Sequence, residues 1–503
     1  MSDGRDWGQQ PAEQPPGQQM SGPDRVTDDL LPLSSAPAAT PPRHGTRGWA
    51  VTAIASAVVL VAAGTGASLV LAGSTGGGGA SSPAAAVQQM VDALNKSDVI
   101  GVLDNLAPGE RNALEPGLKD IFGQLKRIGV LSSTADISDV TGLHISEQDL
   151  VTSTDQLTPD VAAVTVSGGT NSESVDPGQL PLGSYFEGLL DTAMNSRSVS
   201  TTGPNSGSET LGTLKVDGGW YVSLGYSIAI DVLRSSGQSG APPVTGLQPV
   251  GASSPQGAVQ ALFSDVSQLD LSGLLADLDP EELAAVDAYA PDWLPSAQTA
   301  LDKVRGQVSI GFGNLSFTTG PVDGGTLVKL GNGITLSVKA LGVDFEYANG
   351  CYTVTGKGTS EHECVSGGSQ YVAKLLDLLP PAVQPIFKRL TTTGPDTGFV
   401  TVQENGKWYV SPTRTYLDAI SAELSEFQPG DIQTIIQNAS GIGNAIERYE
   451  GQAMNGQGFK LPSGSLGTVL GTKGRGAALT FPGISTSSSG GSSALQVVAE
   501  ALR

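Results

Sequence analysis

At 503 residues, with 39% apolar side chains beside 67 glycines and 31 prolines, the chain can hold two or three domains diluted by flexible segments. A net charge of −22 excludes general affinity for nucleic acid, which needs clustered Lys and Arg to displace counterions from phosphate. Three histidines and two cysteines leave little material for chemistry, so no catalytic residue, metal or cofactor is expected.

Residues 1–47 are rich in Pro, Gln, Asp and Ser without apolar periodicity, and read as a disordered tail. No charge occurs from Gly48 to Val91, and the run from Trp49 to Ala72 is almost wholly apolar or small. At ~1.5 Å per residue, a helix over 48–72 is long enough to cross a ~30 Å hydrocarbon core. A cleaved signal peptide is the alternative; the length of the run and of the tail before it favours a retained anchor. Arg43, His44 and Arg47 precede the run and no Lys or Arg follows until Lys96, which puts the N-terminus in the cytoplasm and the bulk of the chain outside. Residues 73–82 read as a Gly/Ser spacer.

Beyond the spacer the chain repeats itself. Ser81-Ser82-Pro83 returns as Ser253-Ser254-Pro255, and Val87, Met90, Val91 and Leu94 match Val259, Leu262, Phe263 and Val266. Each set has the i, i+3, i+4, i+7 spacing of one buried helical face, behind a Ser N-cap and a Pro in the first turn. Asp98, Gly101, Leu106, Pro108 and Glu110 match Asp270, Gly273, Leu278, Pro280 and Glu282. At the far ends, Thr201-Thr202-Gly203-Pro204 and Trp220-Tyr221-Val222-Ser223 return as Thr392-Thr393-Gly394-Pro395 and Trp408-Tyr409-Val410-Ser411. Asp217-Gly218 and Asn405-Gly406 precede the aromatic runs, a hairpin signal.

Between these ends, β-rich runs at Gln307–Phe317, Thr326–Leu330, Ile334–Ala340, Val343–Tyr347 and Tyr352–Thr355 alternate with Asp323-Gly324, Asn332-Gly333 and Asn349-Gly350, predicting an antiparallel meander. The first copy offers Val161–Val166 and Thr213–Val216. Helices first and sheet afterwards mean an α+β fold. The expected organisation is a first domain at 83–234, a linker at 235–252, a second domain at 253–424, a helical extension at 425–463 and a mostly disordered segment at 464–503. In the extension, Ile432, Ile435, Ile436, Ile442 and Ile446 form a stripe that either docks on the second domain or meets a partner.

The order of helices, curved antiparallel sheet and terminal Gly-x-Trp-Tyr-Val strand resembles the NTF2-like (cystatin-like) superfamily. The Ser-Pro-x2-Ala-Val start and the Trp-Tyr-Val-Ser strand, duplicated behind one membrane helix, look like a family of actinobacterial single-pass envelope proteins, some labelled flagellar basal-body (FliL-type). The resemblance covers roughly residues 81–424 and rests on structural motifs. It implies two tandem NTF2-like domains; the flagellar label would imply a stator-associated role. NTF2-like enzymes use an Asp and His or Tyr set inside their cone, and no position here maps onto such a set.

Cys351 and Cys364 lie 13 positions apart, and outside the cytoplasm a disulfide is expected between them. A metal site of Cys351, His362 and Cys364 is the alternative, short of the four ligands a structural zinc usually takes. Trp220 and Trp408 could line a ligand cone or belong to the core. His144 stands alone. Asp279-Pro280-Glu281-Glu282 could be paired carboxylates for acid–base work, but reads better as an acidic helix start. Three functional readings follow: a non-enzymatic, membrane-anchored protein outside the cytoplasm that binds an envelope protein or cell-wall component; a small-molecule carrier or sensor using a cone; and an NTF2-like enzyme.

Overall fold

The structure, a computed structural model, describes residues 79–455 apart from 139–140, 195–197, 206, 304, 307, 313–314, 332–333, 339–341, 349–350, 357–358, 365–369 and 394–396. The expected tail, membrane helix and terminal segment lie outside the described residues, as do the Asn332-Gly333 and Asn349-Gly350 turns. No helix among the described residues is long and apolar enough to cross a membrane. The chain is α+β, its sheets antiparallel throughout the named strands.

The first half opens with α1 (Pro83–Asn95), α2 (Val99–Asp104) and α3 (Pro108–Arg127). Ser82 caps α1 by accepting from the Ala85 amide at 3.2 Å, and Asp98 caps α2 by accepting from Gly101 at 2.8 Å. Strands β1 (Leu143–Gln148), β2 (Val151–Gln156), β3 (Val161–Ser167) and β4 (Thr170–Val175) follow, then α4 (Ser184–Met194), β5 (Val199–Pro204), β6 (Ser208–Val216), β7 (Gly219–Ser223) and α5 (Leu224–Ser235). The strands form two sheets, ordered β2-β3-β6-β7 and β1-β4-β5. β1 leads into β2, and β3 into β4, through sharp corners. One corner is Gly168-Gly169, both at positive φ, where a Cβ on Gly169 would overlap the Gln148 carbonyl. One face of this folded surface is covered by α1–α3: Met90, Leu103, Leu118, Ile121 and Phe122 are buried against Val164, Val166 and Leu211.

The second half repeats the order with α6 (Pro255–Gln268), α7 (Leu271–Ala276) and α8 (Ala284–Asp302). Then come β8 (Val308–Phe312), β9 (Phe317–Val322), β10 (Gly325–Leu330), β11 (Ile334–Val338), β12 (Val343–Ala348), β13 (Cys351–Gly356) and β14 (Thr359–Cys364). Helices α9 (Gln370–Leu378) and α10 (Gln384–Thr393) lead to β15 (Phe399–Glu404), β16 (Lys407–Val410) and α11 (Pro412–Ser425). The sheet orders are β16-β15-β10-β9 and β14-β13-β12-β11-β8. The run expected as one strand at Gln307–Phe317 is split between β8 and β9, because the chain changes sheet there just as it does between β1 and β2. Phe263 anchors the core of this half, with its ring 4.5 Å from Phe312 and 5.4 Å from Phe399, centroid to centroid.

Matching bonds occur at the sequence-matched positions of the two halves. Ala80 bridges Trp220 and Ala252 bridges Trp408; Leu106 bridges Val222 and Leu278 bridges Val410. Asp217-Gly218 and Asn405-Gly406 both hold positive φ at two successive residues, as a two-residue type I′ turn requires. Residues 79–82 of the expected spacer therefore belong to the fold: Ala80 completes a strand edge and the Gly79 amide donates to the Tyr221 hydroxyl at 2.8 Å. The linker is likewise held down, since the Leu247 amide donates to the Asp287 carbonyl and the Val250 amide to that of Ala276.

All described residues belong to one compact unit. Its two halves meet crosswise: α3 of the first packs on α11 of the second, and α5 of the first on α8 of the second. Leu417, Ile420 and Leu424 of α11 extend the first core, while Tyr226 and Ile230 of α5 share a cluster with Ala285 and Tyr289 of α8. In the extension, helices α12 (Asp431–Gln437) and α13 (Ala439–Asn455) dock Ile435, Ile442 and Ile446 on Leu379 and Val383, whereas Ile432 reaches the first core. Close approach of the halves rests on two bare Cα atoms, Gly109 against the Glu281 backbone and Gly117 against Leu417.

Gly109→Val should therefore lower stability in urea unfolding by about 2–3 kcal/mol, because the added methyls overlap backbone. Gly123→Ala, whose Cβ would meet open space in the same helix, should raise it by up to about 1 kcal/mol. Equal responses at the two positions would show that the halves do not meet at Gly109.

Candidate functional site

At the seam between the halves, the last helix of each is held by a glutamate from the start of its own third helix. Ser223 is the N-cap of α5, accepting from the Tyr226 amide at 3.1 Å while donating to Glu110 Oε1 at 2.6 Å. Glu110 also accepts from the Leu224 and Gly225 amides at 2.8 and 2.9 Å. In the second half Ser411 caps α11 and donates to Glu282 Oε2 at 2.5 Å, and Glu282 Oε1 accepts from the Thr413 amide at 2.8 Å. Each carboxylate thus meets the orphan donors and positive dipole end of a helix first turn. Burial pushes the Glu110 carboxyl above its ordinary range, offset in part by those hydrogen bonds, and the neighbouring Glu282 charge raises it further.

Around this pair lies an acidic group contributed largely by the second half. Asp279 accepts from the Glu281 amide at 3.1 Å, and burial followed by the Glu282 charge pushes its carboxyl up to about 6. Asp287 of α8 is pushed up to about 7 by burial and by Asp279, and its Oδ1 is buried without a hydrogen-bond partner. Glu404, at the β15–β16 turn, rises to about 7 through burial and Glu281. Asp277 rises to about 7 through burial and Asp265, with which it shares a hydrogen bond, a pair best satisfied by one proton. The cation among them is Arg414, buried, which donates to the Asp323 and Gly324 carbonyls and faces Asp120, Asp279 and Asp418.

A second acidic group lies in the first half, beside the end of α1, where Asn95 bonds to the Glu147 backbone. Glu147 of β1 is 3% exposed, accepts from the Asn205 side-chain amide at 2.9 Å through Oε2, and leaves Oε1 unpartnered. Cross-strand register places Glu147 opposite Asn171 and Ile145 opposite Glu173, so these residues share one face. Burial, then the Glu173 and Glu209 charges, lift Glu147 to about 7 against the opposing Asn205 and Asn171 hydrogen bonds. What both groups can do chemically is exchange protons near neutral pH.

The residues singled out from sequence lie elsewhere. Trp220 is buried in the first core, with the Lys215 ammonium 6.0 Å from its ring centroid, and Trp408 packs half-buried on the second core. His144 is exposed on β1. Cys351 is disulfide-bonded, and Cys364 stands directly opposite it in the β13–β14 register. His362 makes a 2.9 Å hydrogen bond with Thr353, and among the described residues no group of three or more His, Cys, Asp or Glu could hold a metal. Asp279-Pro280-Glu281-Glu282 does lead into α8, but that helix begins at Ala284 and Glu282 serves α11, which sequence spacing could not reveal. Asp277, Asp287, Glu404 and Glu147 carried no sequence signal, since their acidic neighbours (Asp265, Asp279, Glu281 and Glu173) belong to other elements or to the segment before the helix. No protein-family model, curated protein or solved structure matches the chain.

For a carboxyl whose folded pKa lies above its unfolded one, the native state binds more protons between the two values, so stability is present at low pH and is lost as pH rises through the folded pKa. The pH window for Glu147 runs from its unperturbed range to about 7. Glu147→Gln should thus remove part of the wild-type decline between about pH 4.5 and 7.5, gaining about 1–2 kcal/mol at pH 8 and nothing at pH 4. Thermal melts across that range check it, and a gain at pH 4 equal to that at pH 8 would refute the assignment.

Proposed function

We propose that the protein is a single-pass, membrane-anchored, non-enzymatic binding protein of the cell envelope. Its N-terminal tail at 1–47 is cytoplasmic, its anchor is 48–72, and its folded part is extracytoplasmic. In this reading residues 83–234 and 253–424 are two copies of an NTF2-like module. The matching Ser–Glu helix caps and backbone bridges of the two halves support a duplication, and the antiparallel sheets with α1–α3 packed on one face support the NTF2-like comparison.

The observation that carries the binding role is how the surfaces are used. The helices of the two halves pack on one another, so polar strand surfaces face solvent: β2 is exposed along most of its length, and exposed Asp344, Glu346, Thr355, Ser360 and His362 lie on β12–β14. β14 ends the five-stranded sheet, paired on one side by β13, and such an edge can accept a strand from a partner. A protein or a cell-wall polymer with hydrogen-bonding groups fits this polar face. In the first half the side chains of α1–α3 pack directly on the strands, which favours surface binding over a carrier role. The location is supported by the disulfide at Cys351, a bond that persists outside the reducing cytosol.

A photo-crosslinking residue at Ser360, in intact cells, should capture one discrete envelope partner, and external protease should digest the folded part while sparing the N-terminal tail. Recovery of the mature protein in the soluble fraction, with reduced thiols, would overturn both location and role. Cys351→Ser should lower stability by about 3 kcal/mol or less on the chain-entropy estimate for a loop of this length, and reductant should reproduce the loss in the wild type.

A further inference from the structure

We propose that the seam between the two halves is a proton-operated latch, closed while its carboxyls are protonated and loosened as they ionise. The key group is Asp287 of α8. It lies on α8 between Ala285 and Tyr289, which share a cluster with Tyr226 and Ile230 of α5, and its Oδ1 is buried with no hydrogen-bond partner. From the first half Tyr226 faces it, and the Tyr226 hydroxyl lies 3.5 Å from the Ala284 carbonyl. Within the second half Asp279 faces it, and the linker adds a backbone bond to its carbonyl without a charge. Asp279 in turn faces Glu281 and Glu282 of its own turn, Glu404 of β15, Tyr409 of β16 and Arg414 of α11. Across the seam stand Glu110 and Asp120 of α3, the first beside Glu282 and the second beside Asp323 and Arg414.

Acids therefore converge on this junction from α3, α8, β15 and the turn before α8, against two guanidiniums, Arg414 near Asp279 and Arg234 near Tyr289, the second paired with Asp155. An ionised carboxylate in that setting must regain water, and parting α5 from α8 would admit it. The two halves share no covalent crosslink among the described residues; beside the linker they are held by apolar packing of α3 on α11 and by Arg127, which donates to the Leu424, Ser425 and Phe427 carbonyls. The Ser–Glu caps lie within each half, so loosening the seam leaves each helix start intact. The latch thus works on the docking of the halves and spares the fold of each. The upward displacement of the Asp279 and Asp287 carboxyls, to about 6 and about 7, places the transition near neutral pH.

The test uses the full chain in membranes or detergent, with paired spin labels on unnatural side chains at the exposed positions Asp231 of α5 and Ser296 of α8. Wild-type protein should show one short distance at pH 5 and a growing longer population by pH 8, the ratio of open to closed rising by about tenfold or more. Asp279→Asn with Asp287→Asn should hold the short distance at both pH values. If that pair fails to fold, as judged by circular dichroism, Asp287→Asn alone makes the same comparison, since its Oδ1 has no partner to lose. A wild-type distance unchanged from pH 5 to 8, or opening of the variant to the wild-type extent, would overturn the latch.

Discussion

A carboxylate taken out of water must be hydrogen-bonded or protonated, and Glu110 and Glu282 at the seam each meet that demand at the start of a helix far away in sequence. Glu110 holds Ser223, Leu224 and Gly225; Glu282 holds Ser411 and Thr413. Each contact ties the beginning of the third helix of a half to the beginning of its last. The orientation of α5 and α11 follows, and with it the crosswise packing of α3 on α11 and α5 on α8. The bare Cα of Gly109, next to Glu110, allows the backbone at Glu281 to come close enough for the two capped ends to lie side by side.

That arrangement has an electrostatic consequence. The elements that carry the caps also bring Asp279, Glu281 and Asp287 into the seam, and β15 adds Glu404. Where the second half has Asp277 and Asp265, the first has Asn105 and Ala93, and Asn105 donates to the Gly101 carbonyl at 2.7 Å instead of sharing a proton. The acidic excess therefore belongs to one half. It is held inside by apolar packing on both sides, from Leu417, Ile420 and Leu424 and from Tyr226, Ile230 and Tyr289. The binding surface inferred for the strands lies on β2 and β12–β14, whereas the seam acids lie on α3, on α8 and the turn before it, and on β15.

Local signals in the sequence were read well because the forces behind them act over a few residues. Ser82 and Ser254 cap their helices, the Val87, Met90, Val91 and Leu94 face is buried, and both Asp217-Gly218 and Asn405-Gly406 turn as type I′ hairpins. Strands β2 and β4 leave little mark in the sequence: Thr152, Ser153, Thr154, Asn171 and Ser172 are polar and exposed or half-buried, so alternation of apolar and polar side chains is faint. The spacer and linker read as loose because Gly, Ser and Pro dominate them, yet Ala80 and Ala252 complete strand edges through backbone bonds that need no particular side chain.

By itself the sequence determined the α+β class, the helix starts, the hairpin turns and the presence of matched segments in the two halves, since each depends on the residue type and its near neighbours. Only the tertiary structure decided that Glu282 would serve α11, that Cys351 would face Cys364 across a hairpin, and that Asp287 and Glu147 would lose their water. Burial and partner choice are properties of which distant segments pack together, and a carboxylate's spacing along the chain says nothing about which helix end or which second carboxylate it will meet.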